Sequence, residues 1–298
     1  MNRIIVIGSS NTDMVIKTGK LPVPGETILG GTFLMNPGGK GANQAVAAAR
    51  LGGKVTFIMK RGNDLFGNQT VGLLMREGID TQFIVKDLEF PSGVALITVD
   101  SKGENSIVVA PGSNGNLLPE DIPQMIFENG KFEILLLQLE IPLSIVEYSA
   151  VKAFERGIKV ILNPAPACKL SDNLLQHIWL LTPNETETEI ITGVRITDIP
   201  SAERATDVIQ ERGVKNVIIT LGETGAFVKS ENYTGLIPGV KVNPVDTTAA
   251  GDIFNGALAV AISEGRDLND AVTFANKAAS ISVTRMGAQA SAPYLSEI

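Results

Sequence analysis

The stretch from Ile134 to Leu162 reads ILLLQLEIPLSIVEYSAVKAFERGIKVIL, and it indicates the fold class of the chain. Two nearly continuous apolar runs, Ile134–Leu139 and Lys159–Leu162, enclose a helical pattern over Leu143–Arg156. Such runs are typical of strands buried on both faces of a parallel sheet, and a helix between them is the usual crossover. The stretch therefore predicts one strand–helix–strand unit of an α/β fold.

The same alternation continues along the chain and predicts a doubly wound, mainly parallel, Rossmann-like sheet with flanking helices. Further strands are predicted over Ile4–Ile7, Val55–Met59, Ile178–Leu181 and Val217–Leu221. Further helices are predicted over Ala42–Leu51, Gly67–Glu77, Ala202–Arg212, Asp252–Glu264 and Leu268–Thr284. Because no repeat, low-complexity tract or linker divides the sequence, we expect a single domain over residues 1–298.

Two segments interrupt this alternation and predict a small antiparallel β-lid. Residues 13–35 carry several glycines and prolines among short extended pieces. Residues 92–109 contain an alternating run, a turn at Asp100–Gly103 and a second run from Asn105, which is the pattern of a hairpin. We interpret both segments as a lid that projects from the main sheet, although an edge hairpin without a role fits the same pattern.

Composition limits the possible functions. A net charge of -7 and a pI of about 4.9 argue against a surface for nucleic acid or anionic membranes. Cys168 and His177 are the only residues of their kinds, which argues against disulfides, cysteine-based metal clusters and Ser-His-Asp catalysis. The sequence lacks a signal-peptide pattern and an apolar stretch of roughly 18 residues. We expect a cytoplasmic protein that binds neither nucleic acid nor membrane.

The strongest chemical motif is the segment Asp246–Asp252, with the sequence DTTAAGD, which precedes a predicted helix. Small residues at a helix start allow backbone N–H groups to approach an anion closely. An Asp in the first turn can act as a general base toward a nearby hydroxyl. Helix capping by Asp246 or Thr248 explains the same residues. Two Asp residues around a turn of small residues favour the anion site.

The segment Asn36–Gln44, NPGGKGANQ, is a second motif at the start of an Ala-rich helix. Its glycines and Lys40 resemble a phosphate cradle, but the Walker pattern fails because Gly41 stands where Ser or Thr is required. Surface and capping roles for Lys40 and Asn43 are the alternative.

Three further groups follow predicted strands. Asn184 and Glu187 lie three residues apart, which suits water-mediated Mg²⁺ binding or a capping box. Thr220–Gly225 would bring a backbone close to a nucleotide or form a simple turn. Glu140 points toward the crevice where open α/β sheets bind ligands, or it caps the next helix.

Together these motifs closely resemble those of the ribokinase-like sugar kinase family, over essentially the whole chain and in the expected order. The resemblance implies an ATP-dependent kinase that phosphorylates a small sugar, with D-ribose at its 5-hydroxyl the expected substrate. The segments that carry the resemblance are Gly38–Ala45, Asn163–Pro166, Asn184–Glu187, Thr220–Gly222, Asp246–Asp252 and Thr284–Gln289.

The resemblance also implies a role for each site residue. Asp252 would take the proton of the sugar hydroxyl, and the amides of Ala249, Ala250 and Gly251 would stabilise the transferred phosphoryl group. The residues that would hold the sugar are Asn11, Asp13, Gly39, Lys40, Asn43, Glu140 and Asp252. The residues that would hold the nucleotide are Asn184, Thr220, Gly222, Gly225, Gly251 and Asn276.

Two cations and a dimer are implied in the same way. Asn184 and Glu187 would hold Mg²⁺ through water, and the lid would form a homodimer interface. The residues that would hold an activating K⁺ are Asp246, Thr248, Ser282, Arg285, Gly287 and Ser291. The alternatives are a kinase for 2-deoxyribose, a hexose or a nucleoside, and a non-catalytic sugar-binding regulator. A dinucleotide-dependent dehydrogenase is disfavoured because Gly8–Asn11 lacks the glycine fingerprint.

Overall fold

A computed structural model describes residues 3–128 and 132–298 of the chain. The strands, in chain order, are β1 (Arg3–Ile7), β2 (Asn11–Lys17), β3 (Thr32–Gly38), β4 (Lys54–Ile58), β5 (Lys60–Gly62), β6 (Val85–Asp87), β7 (Gly93–Val99), β8 (Asn105–Ala110), β9 (Ile134–Leu137), β10 (Lys159–Leu162), β11 (Leu180–Leu181), β12 (Asn216–Thr220), β13 (Gly225–Lys229) and β14 (Thr234–Pro238). The helices are α1 (Lys40–Arg50), α2 (Leu65–Arg76), α3 (Leu143–Glu155), α4 (Asp172–Leu175), α5 (Glu185–Thr192), α6 (Ile199–Glu211), α7 (Ala250–Ser263) and α8 (Leu268–Ser282).

The main sheet has eight strands in the order β14-β13-β12-β11-β10-β9-β1-β4. The strands from β12 to β4 run parallel, and β13 and β14 add an antiparallel hairpin at one edge. The doubly wound, mainly parallel architecture predicted from the sequence is therefore confirmed. The sequence did not predict the β13–β14 hairpin, because β14 is only partly buried and lacks a continuous apolar run.

Both faces of the main sheet are covered. Ile4 and Val6 of β1 face one core, which α1, α7 and α8 complete. Ile5 and Ile7 face the opposite core, which α3 and α6 complete. This burial on both faces is the physical reason why the central strands read as unbroken apolar runs. Among the helices of the described residues, none combines the length and apolar character needed to cross a membrane.

A second sheet of four strands, β3-β2-β7-β8, contains the two segments that the sequence predicts to form the lid. Its two hairpins, β2–β3 and β7–β8, are antiparallel, but the central pair β2–β7 is parallel. The parallel pair arises because each hairpin leaves the body of the protein separately, and the first strands of both run outward side by side. Asn11 and Asp13 lie two residues apart on β2 and therefore on the same face of the lid.

One strand ends earlier than predicted, at the edge of the sheet where open α/β folds bind ligands. Strand β9 ends at Leu137 rather than Leu139, so that Gln138 and Glu140 leave the sheet. Strand β1 lies between β9 and β4, and the chain leaves its carboxyl end as the loop Gly8–Ser10. Open α/β sheets bind ligands at such a change of strand order. The starts of α1 and α7 complete this edge.

Candidate active site

The glycines before α1 allow two backbones to cross at van der Waals distance. Gly39 has a φ of 89°, and a Cβ on it would lie 2.6 Å from the Cα of Ser10. A Cβ on Gly38 would lie 2.2 Å from Oδ2 of Asp13. The structure therefore requires glycine at position 39 to bring the start of α1 against the beginning of β2, whereas Gly38 leaves room for the carboxylate of Asp13. This crossing places Asn11 and Asp13 next to α1.

Glu140 is fixed at the start of α1. Its Oε2 atom accepts hydrogen bonds from the hydroxyl of Ser9 at 2.6 Å and from the backbone N–H of Lys40 at 3.0 Å. The carboxylate thus stabilises the positive end of the helix. Its Oε1 atom accepts no hydrogen bond from the described chain, so it can accept one from a ligand.

Asp252 is only 5% exposed and lies in the first turn of α7. Its Oδ1 accepts a hydrogen bond from Nε2 of Gln44 at 2.9 Å, and its Oδ2 accepts one from Nδ2 of Asn43 at 3.0 Å. Burial raises the pKa of Asp252 above its ordinary value, and the charge of Lys40 and the two amides oppose this rise without cancelling it. A carboxylate with a raised pKa is suited to accept a proton.

The start of α7 has no side-chain cap. Its N-cap residue is Ala249 in a left-handed conformation with a φ of 60°, and no side chain accepts a hydrogen bond from the first turn. The backbone N–H of Ala250 donates to the carbonyl of Thr247 at 3.2 Å, whereas those of Ala249 and Gly251 donate to no described residue. Unpaired N–H groups at a helix start form an anion-binding site. Asp246 bonds elsewhere, so the capping interpretation of this motif is wrong.

Charged side chains surround Asp252. Burial, followed by the charges of Glu140 and Asp252, raises the pKa of Asp13 to about 6. Burial lowers the pKa of Lys40, but the surrounding carboxylates Asp252, Glu140 and Glu187 outweigh it, so the net pKa is raised and the ammonium stays charged. Lys40 makes no direct ion pair with another residue in the described part of the chain. It can therefore bind an anionic or hydroxyl group of a ligand.

Asn114, which the sequence reasoning missed, orients Asn11. It lies in a short 3₁₀ turn, Gly112–Asn116. Its Nδ2 donates to Oδ1 of Asn11 at 2.8 Å and to the carbonyl of Ser10 at 3.0 Å. This leaves Nδ2 of Asn11 available as a donor. Asn43 has a buried Oδ1 without a hydrogen-bond partner, so Nδ2 of Asn11 and Oδ1 of Asn43 are both suited to bind hydroxyl groups of a ligand.

The residues predicted to hold the nucleotide come from several elements: Asn184 follows β11, Thr220 ends β12, Gly225 begins β13, and Gly251 and Asn276 lie on α7 and α8. Asn184 forms a β-bridge with Thr220, and its side chain forms a capping box with Glu187 through two hydrogen bonds of 2.8 Å. The capping interpretation of Asn184 and Glu187 is thus confirmed. Asn276 donates to the carbonyl of Pro238 at 3.2 Å.

The two predicted glycines of this region differ. Gly222 lies in an exposed turn with a φ of 56°, and a Cβ on it would meet no atom within 4 Å. Gly225 is buried at the start of β13 with a φ of 110°, and a Cβ on it would lie 2.2 Å from the carbonyl oxygen of Ile237. Gly225 is therefore needed for the hairpin itself, whereas Gly222 leaves the surface open to a ligand.

The predicted K⁺ residues lie on two segments, 246–248 and 282–291, and hydrogen bonds hold these segments together. Asp246 accepts from the N–H of Thr248 at 2.9 Å and from the N–H of Gly287 at 2.8 Å. The hydroxyls of Ser282 and Ser291 donate to backbone carbonyls, and the guanidinium of Arg285 pairs with Glu297. Arg285 can therefore offer a cation only its carbonyl. Across residues 3–128 and 132–298, no three Asp, Glu, His or Cys side chains form a metal-binding group.

A buried carboxylate beside unpaired N–H groups, at the carboxyl edge of a parallel sheet, is an arrangement suited to transferring an anionic group to a hydroxyl. The chain belongs to the pfkB family of carbohydrate kinases, whose family model matches residues 1–295. The predicted class of enzyme, a carbohydrate kinase, is thus confirmed.

Named sugar kinases match this chain over nearly their full lengths. The ribokinase of Haemophilus influenzae is 46% identical, with 97% of this chain and 95% of the relative covered. A deoxyribokinase of Salmonella typhi is 38% identical over 99% of this chain and 96% of its own. The solved structure of Arabidopsis thaliana ribokinase, complexed with ribose and ATP, has a TM-score of 0.90 and 33% identity, covering 99% of this chain and 96% of that one.

Proposed function

We propose that the protein transfers the γ-phosphoryl group of ATP to the 5-hydroxyl of D-ribose. The observation that carries this proposal is the buried carboxylate of Asp252 beside the uncapped start of α7. The similarity to the Haemophilus influenzae ribokinase, and to the Arabidopsis thaliana enzyme complexed with ribose and ATP, supports ribose and ATP as substrates.

In the proposed reaction, Asp252 accepts the proton of the 5-hydroxyl. The sugar oxygen then forms a bond to the γ-phosphorus of ATP, the bond from this phosphorus to the β,γ-bridging oxygen breaks, and ADP leaves with the electron pair. The raised pKa of Asp252 brings its basicity closer to neutral pH, where proton transfer is most effective. The amides of Asn43 and Gln44 hold both carboxylate oxygens during this step.

The start of α7 stabilises the charge on the transferred group. The unpaired N–H groups of Ala249 and Gly251 are donors that need no rearrangement. The N–H of Ala250 joins them if its 3.2 Å hydrogen bond to Thr247 opens. The ammonium of Lys40 adds a positive charge nearby. Phosphoryl transfer depends mainly on such positioning and charge, so a chain with a single histidine can perform it.

The sugar is held by polar groups that the protein leaves unpaired. Asn11 offers an N–H, Asn43 a buried carbonyl oxygen, and Asp13 and Glu140 offer carboxylate oxygens. Gly39 contributes its backbone at the crossing. A site with this many buried polar groups disfavours a sugar that lacks a hydroxyl, because one group would stay unpaired. This favours ribose over 2-deoxyribose.

The donor atoms near the nucleotide fit Mg²⁺. Glu187 keeps one carboxylate oxygen outside its capping box and lies within electrostatic range of Lys40 and Asp252. With Asn184 it would hold the ion through water, as hard oxygen ligands do. When bound, Mg²⁺ would neutralise charge on the phosphate oxygens of ATP. The nucleotide itself would lie over Gly222 and against Thr220, Gly225, Gly251 and Asn276.

The possible ligand atoms on the 246–248 and 282–291 segments fit K⁺, because they are carbonyl, hydroxyl and carboxylate oxygens. Burial raises the pKa of Asp246, but hydrogen bonds from Thr248 and Gly287 outweigh it and keep the carboxyl ionised. The ion would be held by Asp246 with Thr248, Ser282, Arg285, Gly287 and Ser291, and it would order the loop before α7.

We propose that residues 1–298 form a single domain. Within it, we propose that the lid forms an interface between two copies of the chain and that it closes over the sugar. Its large apolar side chains Phe33, Leu96 and Val108 are each more than half exposed. Exposed apolar groups of this size on one sheet are typical of a protein interface, and we assign it to a second copy of the chain, giving a homodimer. Closure of the lid over the sugar would exclude water and suppress ATP hydrolysis.

The experiment is a panel of ribose, 2-deoxyribose, fructose and a nucleoside with ATP and Mg²⁺, with and without K⁺, followed by ADP release. We expect the largest kcat/KM for ribose. A larger value for 2-deoxyribose would contradict the ribose assignment, and no ADP release with any acceptor would indicate a non-catalytic regulator.

Asp252→Asn tests the proton step. We expect kcat to fall by ~10²–10⁴, because the amide cannot accept the proton, while ribose binding measured by calorimetry and the melting temperature change little. Near-normal turnover in this variant would exclude Asp252 as the base.

A further inference from the structure

Gln44 is fully buried, at 0% exposure. Both hydrogens of its Nε2 and one lone pair of its Oε1 take part in hydrogen bonds. Its Nε2 donates to Oδ1 of Asp252 at 2.9 Å and to Oδ1 of Asn163 at 3.0 Å. Its Oε1 accepts from Nε2 of Gln138 at 2.6 Å. The two N–H hydrogens of the Gln44 amide thus meet two acceptors, and its carbonyl oxygen meets one donor.

Asp252 and Asn163 face Gln44 with atoms that can only accept, and these two neighbours set the orientation of its amide. The third neighbour, Gln138, follows this orientation, since its buried Oε1 has no hydrogen-bond partner of its own. An ionised Asp252 can only accept hydrogen bonds. Asn163 donates its own Nδ2 to the carbonyl of Thr182 at 3.2 Å, which leaves its Oδ1 as the acceptor toward Gln44. If Gln44 were flipped, its carbonyl oxygen would face two acceptors. The network therefore specifies one arrangement.

This network joins the carboxyl ends of three adjacent strands to α7. Gln138 follows β9, Asn163 follows β10, and Thr182 follows β11. The hydroxyl of Thr182 donates to Oδ1 of Asn255 at 2.6 Å, and Nδ2 of Asn255 donates to the carbonyl of Gly251 at 2.8 Å. The chain of hydrogen bonds therefore returns to the same helix turn that carries Asp252.

We propose that Gln44 is a positioning residue for phosphoryl transfer, which rests on the proposed function above. It holds Oδ1 of Asp252, while Asn43 holds Oδ2, so the carboxylate cannot turn about its Cβ–Cγ bond. The lone pairs that remain then point in fixed directions toward the sugar hydroxyl. Because Gln44 is fully buried, it acts on the reaction only through Asp252 and not through contact with the sugar.

The proposal predicts that loss of the Gln44 donor affects kcat more than KM. Without it, one carboxylate oxygen is free and the base samples unproductive orientations, which costs ~10–100-fold in rate when reacting atoms are misplaced by about 1 Å. Ribose binding through the other polar groups is unchanged. A purely structural role would instead lower stability and active fraction without this division between kcat and KM.

The test compares Gln44→Met, which keeps the volume but removes the donor to Asp252 together with the acceptor for Gln138, with the control Asn216→Leu. Asn216 is 8% exposed, and its Nδ2 donates to the carbonyl of Trp179 at 3.0 Å at the opposite edge of the sheet. We expect kcat of Gln44→Met to fall ~10–100-fold with KM for ribose within ~3-fold of wild type. The control should lose stability but keep kcat per folded molecule.

A second variant keeps the test decisive if Gln44→Met does not fold. Gln44→Glu retains the volume and the acceptor for Gln138 but places a second carboxyl group against Asp252. Two adjacent buried carboxyl groups share one proton, which occupies the base, so kcat should fall at least as far. Wild-type kcat in both variants, or a loss no greater than that of the control, would overturn the proposal. Failure of the wild-type protein to phosphorylate any sugar would instead overturn the proposed function, and the role of Gln44 with it.

Discussion

Replacing Asp13 with Asn should stabilise the protein while it weakens sugar binding. Asp13 accepts no hydrogen bond from a described residue, and burial with the charges of Glu140 and Asp252 raises its pKa from 3.8 to about 6. The difference between these two pKa values corresponds to about 3 kcal/mol. Because the side chain is partly exposed, solvent screening reduces this to ~1–2 kcal/mol.

The sign of this effect sets its pH dependence. Between about pH 4 and pH 6 the folded protein retains a proton that the unfolded chain has lost, so wild-type stability falls as the pH rises through this range and stays lower above it. The amide that Asp13→Asn introduces does not titrate. The advantage of this variant should therefore be smaller at pH 5 than at pH 8, as measured by urea unfolding at both values.

The same variant should raise KM for ribose roughly 10–100-fold, because hydrogen bonds to a charged acceptor contribute about 1.5–3 kcal/mol. Asp64→Asn is a control in which the native carboxylate is stabilised instead of destabilised. Burial alone would raise the pKa of Asp64, but hydrogen bonds from Gly67 and Ser92 outweigh burial and lower the pKa. This control should therefore lose stability at pH 8. A stability of Asp13→Asn below that of wild type at pH 8, or an equal advantage at both pH values, would refute this account of the Asp13 charge.

Three further substitutions test other parts of the structure. Ser149→Ala should raise stability by about 1 kcal/mol in urea unfolding, because the buried hydroxyl of Ser149 has no hydrogen-bond partner. Gly256→Ala should lower stability by about 1–3 kcal/mol and reduce kcat, because the added Cβ would lie 2.7 Å from Cβ of Ala47 and separate α7 from α1. Asn114→Ala should raise KM for ribose by roughly tenfold with a smaller change in kcat, because Asn11 loses the donor that orients it; unchanged KM would exclude this role.

The sequence predicted the parts of the fold that depend on burial. The central strands are buried on both faces, so their apolar runs were visible without structural information. Helix starts were less visible: α6 begins at Ile199 rather than Ala202, because Asp198 caps it by accepting from the N–H of Ser201. The hairpin β13–β14 was missed because β14 is only partly buried and lacks a continuous apolar run. The parallel pair β2–β7 was missed because its two strands lie far apart in the sequence.

The candidate site was predictable where its residues stand in compact motifs, and not where they act across the fold. Asn114 lies 103 residues from Asn11, which it orients. Gln44 stood inside a motif, yet only its distances to Asp252 and Asn163 distinguish it from an ordinary core residue. The available signal was a polar residue in an otherwise Ala-rich helical segment, which predicts a buried partner but does not identify it.

The helix starts explain why the site lies where it does. Some helices begin with a side chain that accepts a hydrogen bond from the first turn, namely Asp64, Ser171, Asn184, Asp198 and Asp267. The starts of α1, α3 and α7 have no such cap of their own, and at α3 the N-cap residue is Pro142. Omitting a cap costs about 1 kcal/mol, and the left-handed Ala249 adds a cost of similar size. At α1 the distant carboxylate of Glu140 offsets part of this cost, whereas α7 keeps unpaired N–H groups beside Asp252. A bound phosphate that accepts from these N–H groups would recover stability that the free protein lacks, so substrate binding and the order of this helix turn are coupled.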